Sequence, residues 1–294
     1  MKLLFKGTAP ALVTPFTKNG DIDLEAYKKH VIFQLDGGVD AVVVLGTTGE
    51  AVTITEKERL QLIETTVEVV NKRVPVIAGT GSNATAESIE RSKTAKEAGA
   101  DAILSVTPYY NKPTDEGCYR HFVEIANAVD IPSVIYNVPG RTGKNMNAEL
   151  LLRIAEIPHV AGVKEASGDL GQVMEVLRNR PESYGVWSGE DDMTFAMMAL
   201  GADGVISVVS NEVPKEFSDM MRACLDGKYD EARQSHFRLL PLMKANFIES
   251  NPIPVKTALA LMGRMAESFR LPLVSMEQKN KEKLQDILRS LSLI

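Results

Sequence analysis

The sequence predicts an α/β protein, a (β/α)8 TIM barrel followed by a C-terminal all-helical region, and three observations predict it. A phrase recurs: Gly38-Val39-Asp40-Ala41-Val42, Gly99-Ala100-Asp101-Ala102-Ile103 and Gly201-Ala202-Asp203-Gly204-Val205. Each copy follows an amphipathic stretch and precedes an apolar run, as a glycine helix stop before a buried strand does. A second phrase alternates with it, Val74-Pro75-Val76-Ile77 and Ile131-Pro132-Ser133-Val134-Ile135, in which proline closes the connection before another strand. From about Gly227 the strand signal stops.

In chain order, strands are expected near 8–14, 41–46, 75–80, 102–107, 133–137, 160–165, 184–188 and 204–209. Helical periodicity fills the gaps, as in Leu60, Ile63, Val67 and Val70 along one face. Strands apolar on both faces and alternating with helices form a parallel sheet. Eight of them fit a barrel of about 250 residues. An open doubly wound sheet is the alternative, but no GxGxxG follows the first strand. The division is therefore a catalytic barrel over 1–226 and a helical domain over 227–294. In the latter, 230–247, 255–265 and 278–293 read as helices, broken by Asn251-Pro252-Ile253-Pro254 and Leu271-Pro272. This tail carries no evident chemistry and is expected to pack on the barrel or build an oligomer.

The 294 residues are 44% hydrophobic and 24% charged, with a net charge of −6, the composition of a globular protein with a large core. That acidity, without clustered basic residues, argues against nucleic acid. The apolar stretch at the start is too short for a secretory leader, and no apolar run is long enough to cross a bilayer. Cys118 and Cys224 fit no metal or redox spacing, so two reduced thiols in a cytoplasmic protein are expected.

Barrel enzymes react where strands end. Strand two ends in Gly46-Thr47-Thr48-Gly49-Glu50, and strand three in Gly79-Thr80-Gly81-Ser82. Strand four ends in Thr107-Pro108-Tyr109-Tyr110, and strand five in Tyr136-Asn137-Val138-Pro139-Gly140-Arg141. Strand six ends at Lys164, and strand seven in Ser188-Gly189-Glu190-Asp191-Asp192. None of the histidines, His30, His121, His159 and His236, stands beside a carboxylate at ligand spacing, so no metal is expected. The three acids after strand seven read as a helix cap and would repel phosphate. The Gly79-Thr80-Gly81-Ser82 stretch could cradle an anion but reads better as a tight turn.

Lys164 remains. At a barrel strand end a lysine is either paired with a carboxylate or free to condense with a ketone. An ordinary lysine, near 10.4, is protonated and non-nucleophilic at neutral pH. A low-dielectric barrel centre favours the neutral amine, which attacks a carbonyl to form a Schiff base. The protonated imine then acts as an electron sink, and the adjacent carbon becomes an enamine nucleophile. Tyr136, ending the adjacent strand, can relay protons. Thr47 and Thr48 suit a small carboxylate, Tyr110 offers a second phenol, and Arg141 suits a second carboxylate held bidentately. The pattern fits two small acids.

These motifs, GTTGE at 46–50, AGTGSNAT at 78–85, VTPYYNKP at 106–113, YNVPGRTG at 136–143, GVKEASG at 162–168 and NPIPVK at 251–256, resemble the dihydrodipicolinate synthase family from Gly7 to about Leu273. That family belongs to the pyruvate-dependent class I aldolases, relatives of N-acetylneuraminate lyase. The resemblance implies that Lys164 forms the imine with pyruvate beside Tyr136, with Thr47 and Tyr110 completing a proton relay. Tyr110 would be lent to a neighbouring subunit. Thr48 and the backbone of Ile206 would hold pyruvate, with Gly189 also at the substrate. Arg141 would bind the carboxylate of L-aspartate 4-semialdehyde. The product would enter the lysine and diaminopimelate pathway, no cofactor would be needed, and the assembly would be a homotetramer of tight dimers.

Alternatives are another pyruvate aldolase or lyase, acting on N-acetylneuraminate or 2-keto-3-deoxy sugar acids, and a non-catalytic barrel scaffold. The lyase typically reads Gly-Ser-Thr-Gly-Glu where two threonines stand here, and it lacks the arginine at position 141. In the helix after GTTGE, Glu56 and Arg59 replace the histidine pair often found in lysine-inhibited synthases, while Gly81, Asn83, Glu87 and Tyr109 match the inhibitor pocket. Weak or absent lysine inhibition is expected.

Overall fold

The computed structural model describes residues 3–294. Its strands are β1 (Gly7–Pro10), β2 (Val42–Val44), β3 (Val76–Gly79), β4 (Ala102–Val106), β5 (Ser133–Asn137), β6 (Val160–Glu165), β7 (Gly185–Ser188) and β8 (Gly204–Ser207). They pair in parallel in the order β1-β8-β7-β6-β5-β4-β3-β2. A parallel bridge between Ala11 and Val43 joins the two ends, so the sheet closes on itself. The strands lie where the sequence places them. The first is shorter than expected because the chain crosses over at the seam. It runs along β8 as far as Pro10, and then the Leu12 amide donates to Val43 O of β2 at 2.9 Å.

The recurring glycine-aspartate phrase has a physical reason beyond stopping a helix. Gly38, Gly99 and Gly201 take the left-handed backbone (φ 77, 90 and 98°) that turns the chain from helix to strand. The aspartate two residues on then accepts an amide from the preceding strand. Asp40 accepts Thr8 N at 2.8 Å, Asp101 accepts Val76 N at 2.8 Å and Asp203 accepts Val186 N at 3.0 Å. Each repeat thus ties one strand start to the next at the end of the barrel away from the strand C-termini.

Period-two alternation separates two apolar layers. Ala9, Val43, Ile77, Leu104, Val134 and Ile206 fill the barrel interior. Phe5 plugs its floor, stacked on Trp187 with ring centroids 4.9 Å apart. Their neighbours Val42, Ile103, Ile135, Val163 and Val205 face the surrounding helices. The tail consists of helices Tyr229–Ala245, Ile253–Leu261 and Gln278–Ser290. Leu239, Leu242, Leu284 and Leu288 of the tail join the same apolar cluster as that outer layer. Among the described residues, no helix is long and apolar enough to cross a membrane.

Candidate active site

Two lysines are buried among the described residues, and they differ in their surroundings. Lys256 has no exposed surface, and its Nζ donates to Glu50 Oε1 at 2.5 Å, which fixes it as a structural cation. Lys164 is 6% exposed. Among the described residues no carboxylate lies within 4.0 Å of its Nζ. Burial lowers its proton affinity from the ordinary 10.5 to about 8; Asp191 pulls back upward and Arg141 pushes further down. A buried, unpaired and partly neutral amine is a nucleophile.

Tyr136 is register partner to Lys164 across β5 and β6, so both side chains point into the barrel at the same level. The Lys164 Nζ sits 4.2 Å from the Tyr136 ring centroid. Burial pushes the phenol up to about 12, Arg141 drawing it down and Glu190 raising it further. It therefore keeps its proton at neutral pH and can hand it on. On the outer face, Asn137 and Glu165 clamp the same two strand ends, with Asn137 Nδ2 donating to Glu165 Oε2 at 3.0 Å. Sequence reasoning missed this pair; its signal is a polar residue directly after each reactive one.

Tyr136 also borders a cavity of about 420 Å3, lined with Thr47, Arg59, Glu87, Tyr109 and Arg141. A space of this size admits a small substrate. Arg141 lies in a single helical turn, Pro139–Thr142, because proline opens the turn and Gly143 closes it in the left-handed conformation. Its Nη2 donates to Asn251 O at 3.3 Å, which leaves the other donors for a ligand. Gly189 packs against the reactive side chain. A Cβ there would stand 2.7 Å from Ala166 Cβ and 3.1 Å from Lys164 Cε, so only glycine leaves the lysine stem its place. Ile206 of β8 is fully buried in the barrel interior.

Thr47–Gly49 forms a 3-10 turn after β2, with Thr47 on the cavity and Thr48 buried. The C-terminal region holds this turn by packing on the barrel. Asn251 Nδ2 donates to Thr48 Oγ1 at 3.0 Å, and Lys256 secures Glu50, whose φ of 54° is left-handed. Arg270 donates to Thr53 O at 2.9 Å and to Glu58 Oε1 at 2.5 Å just beyond. NPIPVK and GTTGE are thus two halves of one contact.

The Gly79-Thr80-Gly81-Ser82 stretch, expected as a tight turn rather than an anion cradle, is a place of close backbone approach. A Cβ on Gly79 would lie 2.0 Å from Leu45 O and one on Gly81 would lie 2.4 Å from Val106 N, so these glycines allow adjacent backbones to meet. Asp191 does not cap its own helix. Its Oδ2 accepts the amides of Val208 and Val209, at 3.1 and 2.8 Å, at the end of β8. Tyr110 is not brought to Lys164 within the chain; it is 90% exposed with φ 70°. His30 packs in the interior, bonded to Asn211 Oδ1 at 2.9 Å, and burial lowers it to about 4.

A profile of the dihydrodipicolinate synthetase family matches residues 4–291. The chain belongs to this family. The 4-hydroxy-tetrahydrodipicolinate synthase of Thermodesulfovibrio yellowstonii is 52% identical to it over 291 residues, covering 99% of this chain and 100% of that one. The crystal structure of dihydrodipicolinate synthase from Thermotoga maritima superposes with a TM-score of 0.97 at 45% identity, over 99% of this chain and 100% of that one. The chloride-inhibited dihydrodipicolinate synthase from Acinetobacter baumannii, solved in complex with pyruvate, superposes with a TM-score of 0.97 at 42% identity, over 98% of this chain and 99% of that one. In this synthetase family member the strand-end lysine and tyrosine therefore stand on a barrel shared with enzymes of that name.

Proposed function

We propose that the chain is a 4-hydroxy-tetrahydrodipicolinate synthase, a class I aldolase-type lyase that joins pyruvate to L-aspartate 4-semialdehyde on the way to diaminopimelate and lysine. The observation that carries this reading is the buried Lys164 amine, with no carboxylate within 4.0 Å among the described residues, against the ring of Tyr136. Its nitrogen adds to the keto carbon of pyruvate, the carbonyl oxygen leaves as water, and a protonated imine remains. Loss of a methyl proton gives the enamine, whose carbon attacks the semialdehyde. Cyclisation through the substrate amine then releases Lys164. Tyr136 gives and takes the protons, with Thr47 on the cavity wall as its relay partner.

Thr48 and the backbone of Ile206 hold the pyruvate, Gly189 leaves it room beside the lysine, and Arg141 takes the carboxylate of the semialdehyde. The 90% exposure of Tyr110 supports its use in a neighbour's site, within a homotetramer built from dimers. Two buried free cysteines suit a cytoplasmic enzyme. The contacts of the tail with the 46–50 turn make residues 227–294 a support domain for the catalytic barrel 1–226.

Borohydride reduction in the presence of pyruvate tests the reading: the pyruvate-derived mass is expected on Lys164. Turnover is expected with pyruvate and aspartate semialdehyde and not with N-acetylneuraminate. The opposite substrate preference would replace the synthase by a lyase, and absence of trapping would leave a scaffold.

A further inference from the structure

On the connection from β7 to β8 lies an acid, Asp191, that the reaction as described does not use. Asp191 is 2% exposed. Its Oδ2 accepts two backbone amides, and its Oδ1 has no hydrogen-bond partner among the described residues. A buried carboxylate oxygen left bare is costly unless a positive charge lies nearby. The same connection packs on the lysine through Gly189, two residues earlier, at the position where a Cβ would touch Lys164 Cε.

The titratable groups around the amine are Asp191, Arg141 and Tyr136. Those around Asp191 are Lys164 and Glu212, and Glu190 acts on Tyr136. Glu212 is wholly buried and accepts Asn246 Nδ2 at 2.6 Å; burial raises it well above the ordinary carboxylate value, the Asn246 bond lowers it and Asp191 raises it further. Burial also raises Asp191, but the amides of Val209 and Val208, the Ser207 hydroxyl and Lys164 all lower it.

We propose that Asp191 is the counter-charge of Lys164, a positioning residue whose carboxylate, fixed by the amides of Val208 and Val209, stabilises the cationic imine inside the barrel. The inference rests on the imine chemistry proposed above. Condensation turns a partly neutral amine into an iminium that must stay protonated, because only the cation draws the methyl C–H electron pair into the enamine. A carboxylate in direct contact, as Glu50 is with Lys256, ties the amine up in an ion pair and offsets part of the lowering by burial. One beyond 4.0 Å and anchored elsewhere favours the iminium and still leaves part of the amine neutral. Fixed charge aimed at a developing cation needs no reorganisation during the reaction.

The test is Asp191→Asn, whose amide oxygen still accepts from Val208 and Val209. Two rates are followed against pH with the full-length enzyme. They are borohydride trapping of pyruvate on Lys164 and exchange of the pyruvate methyl protons with deuterated solvent. The expected result is opposite movement. The midpoint of trapping falls by about one pH unit, since less charge holds the lysine proton, about tenfold in neutral amine below the midpoint. Methyl exchange slows by at least about tenfold, since the iminium is less stabilised.

Asp191→Glu is expected to restore the wild-type midpoint, and Glu212→Gln, which keeps the Asp191 carboxylate, to leave it in place. Asp191→Ser, whose hydroxyl also accepts from the amides, replaces the asparagine variant should that one fail to fold. An unchanged or raised trapping midpoint, or equal slowing of both rates, would overturn the proposal. Failure of the wild-type enzyme to trap pyruvate would instead overturn the imine reading itself.

Discussion

Replacing Lys164 by methionine removes a buried amine while keeping a side chain of similar length. The folded protein holds this lysine at about 8 against an ordinary 10.5. At 1.36 kcal/mol per tenfold change in proton affinity, the fold disfavours the protonated form by about 3 kcal/mol. The unfolded chain keeps its lysine proton up to the higher value and the folded chain only up to the lower one. Between them the unfolded state binds more protons, so stability rises with pH across that window, and below it the full penalty applies. Lys164→Met is therefore expected to stabilise the protein by up to about 3 kcal/mol at pH 7, with the gain shrinking toward zero as pH approaches 10.5. Asp191 loses a favourable neighbour in this variant, which makes the figure an upper bound. Guanidinium unfolding at pH 7 and pH 9.5, followed by the fluorescence of Trp187, the single tryptophan, measures the difference. A less stable variant, or the same gain at both pH values, would refute the argument. Activity should vanish regardless, as expected where a reactive group is held at a cost to the fold.

Arg141→Ala should leave pyruvate trapping on Lys164 intact and mainly impair use of the semialdehyde; loss of trapping as well would contradict its assigned role. Lys256→Met leaves Glu50 buried without a partner and should cost about 3–5 kcal/mol in denaturant unfolding, with slower turnover as the 46–50 turn loosens. L-Lysine should inhibit weakly or not at all. Arg59 and Arg91 put two guanidiniums in the cavity wall, where an inhibitor's ammonium groups would meet them. A sub-millimolar inhibition constant in steady-state kinetics would reverse this.

Periodicity and punctuation made the barrel legible, because each strand is short, apolar on both faces and bounded by a glycine or proline with one backbone task. Lys164 and Tyr136 were legible because alternation along β5 and β6 leaves little choice of direction once the strand ends are known. Asp191 was misjudged because three adjacent acids before a helix look alike in sequence. Which of them turns back to β8 depends on packing across the barrel. Lys256 and Asn251 were visible only as a motif, since their partners Glu50 and Thr48 lie 206 and 203 residues away. No local pattern encodes a contact of that range. Tyr110 poses the same difficulty one level higher, as the role proposed for it needs another copy of the chain.

The grip of Asn251, Lys256 and Arg270 on the turn after β2 also imposes an order in time. A nascent chain whose eight strands have all left the ribosome still holds Thr47 and Thr48 on an unsecured turn. The turn gains these contacts only after residues 251–270 have been made and have docked, and a product that stopped short of Asn251 would leave it unsecured.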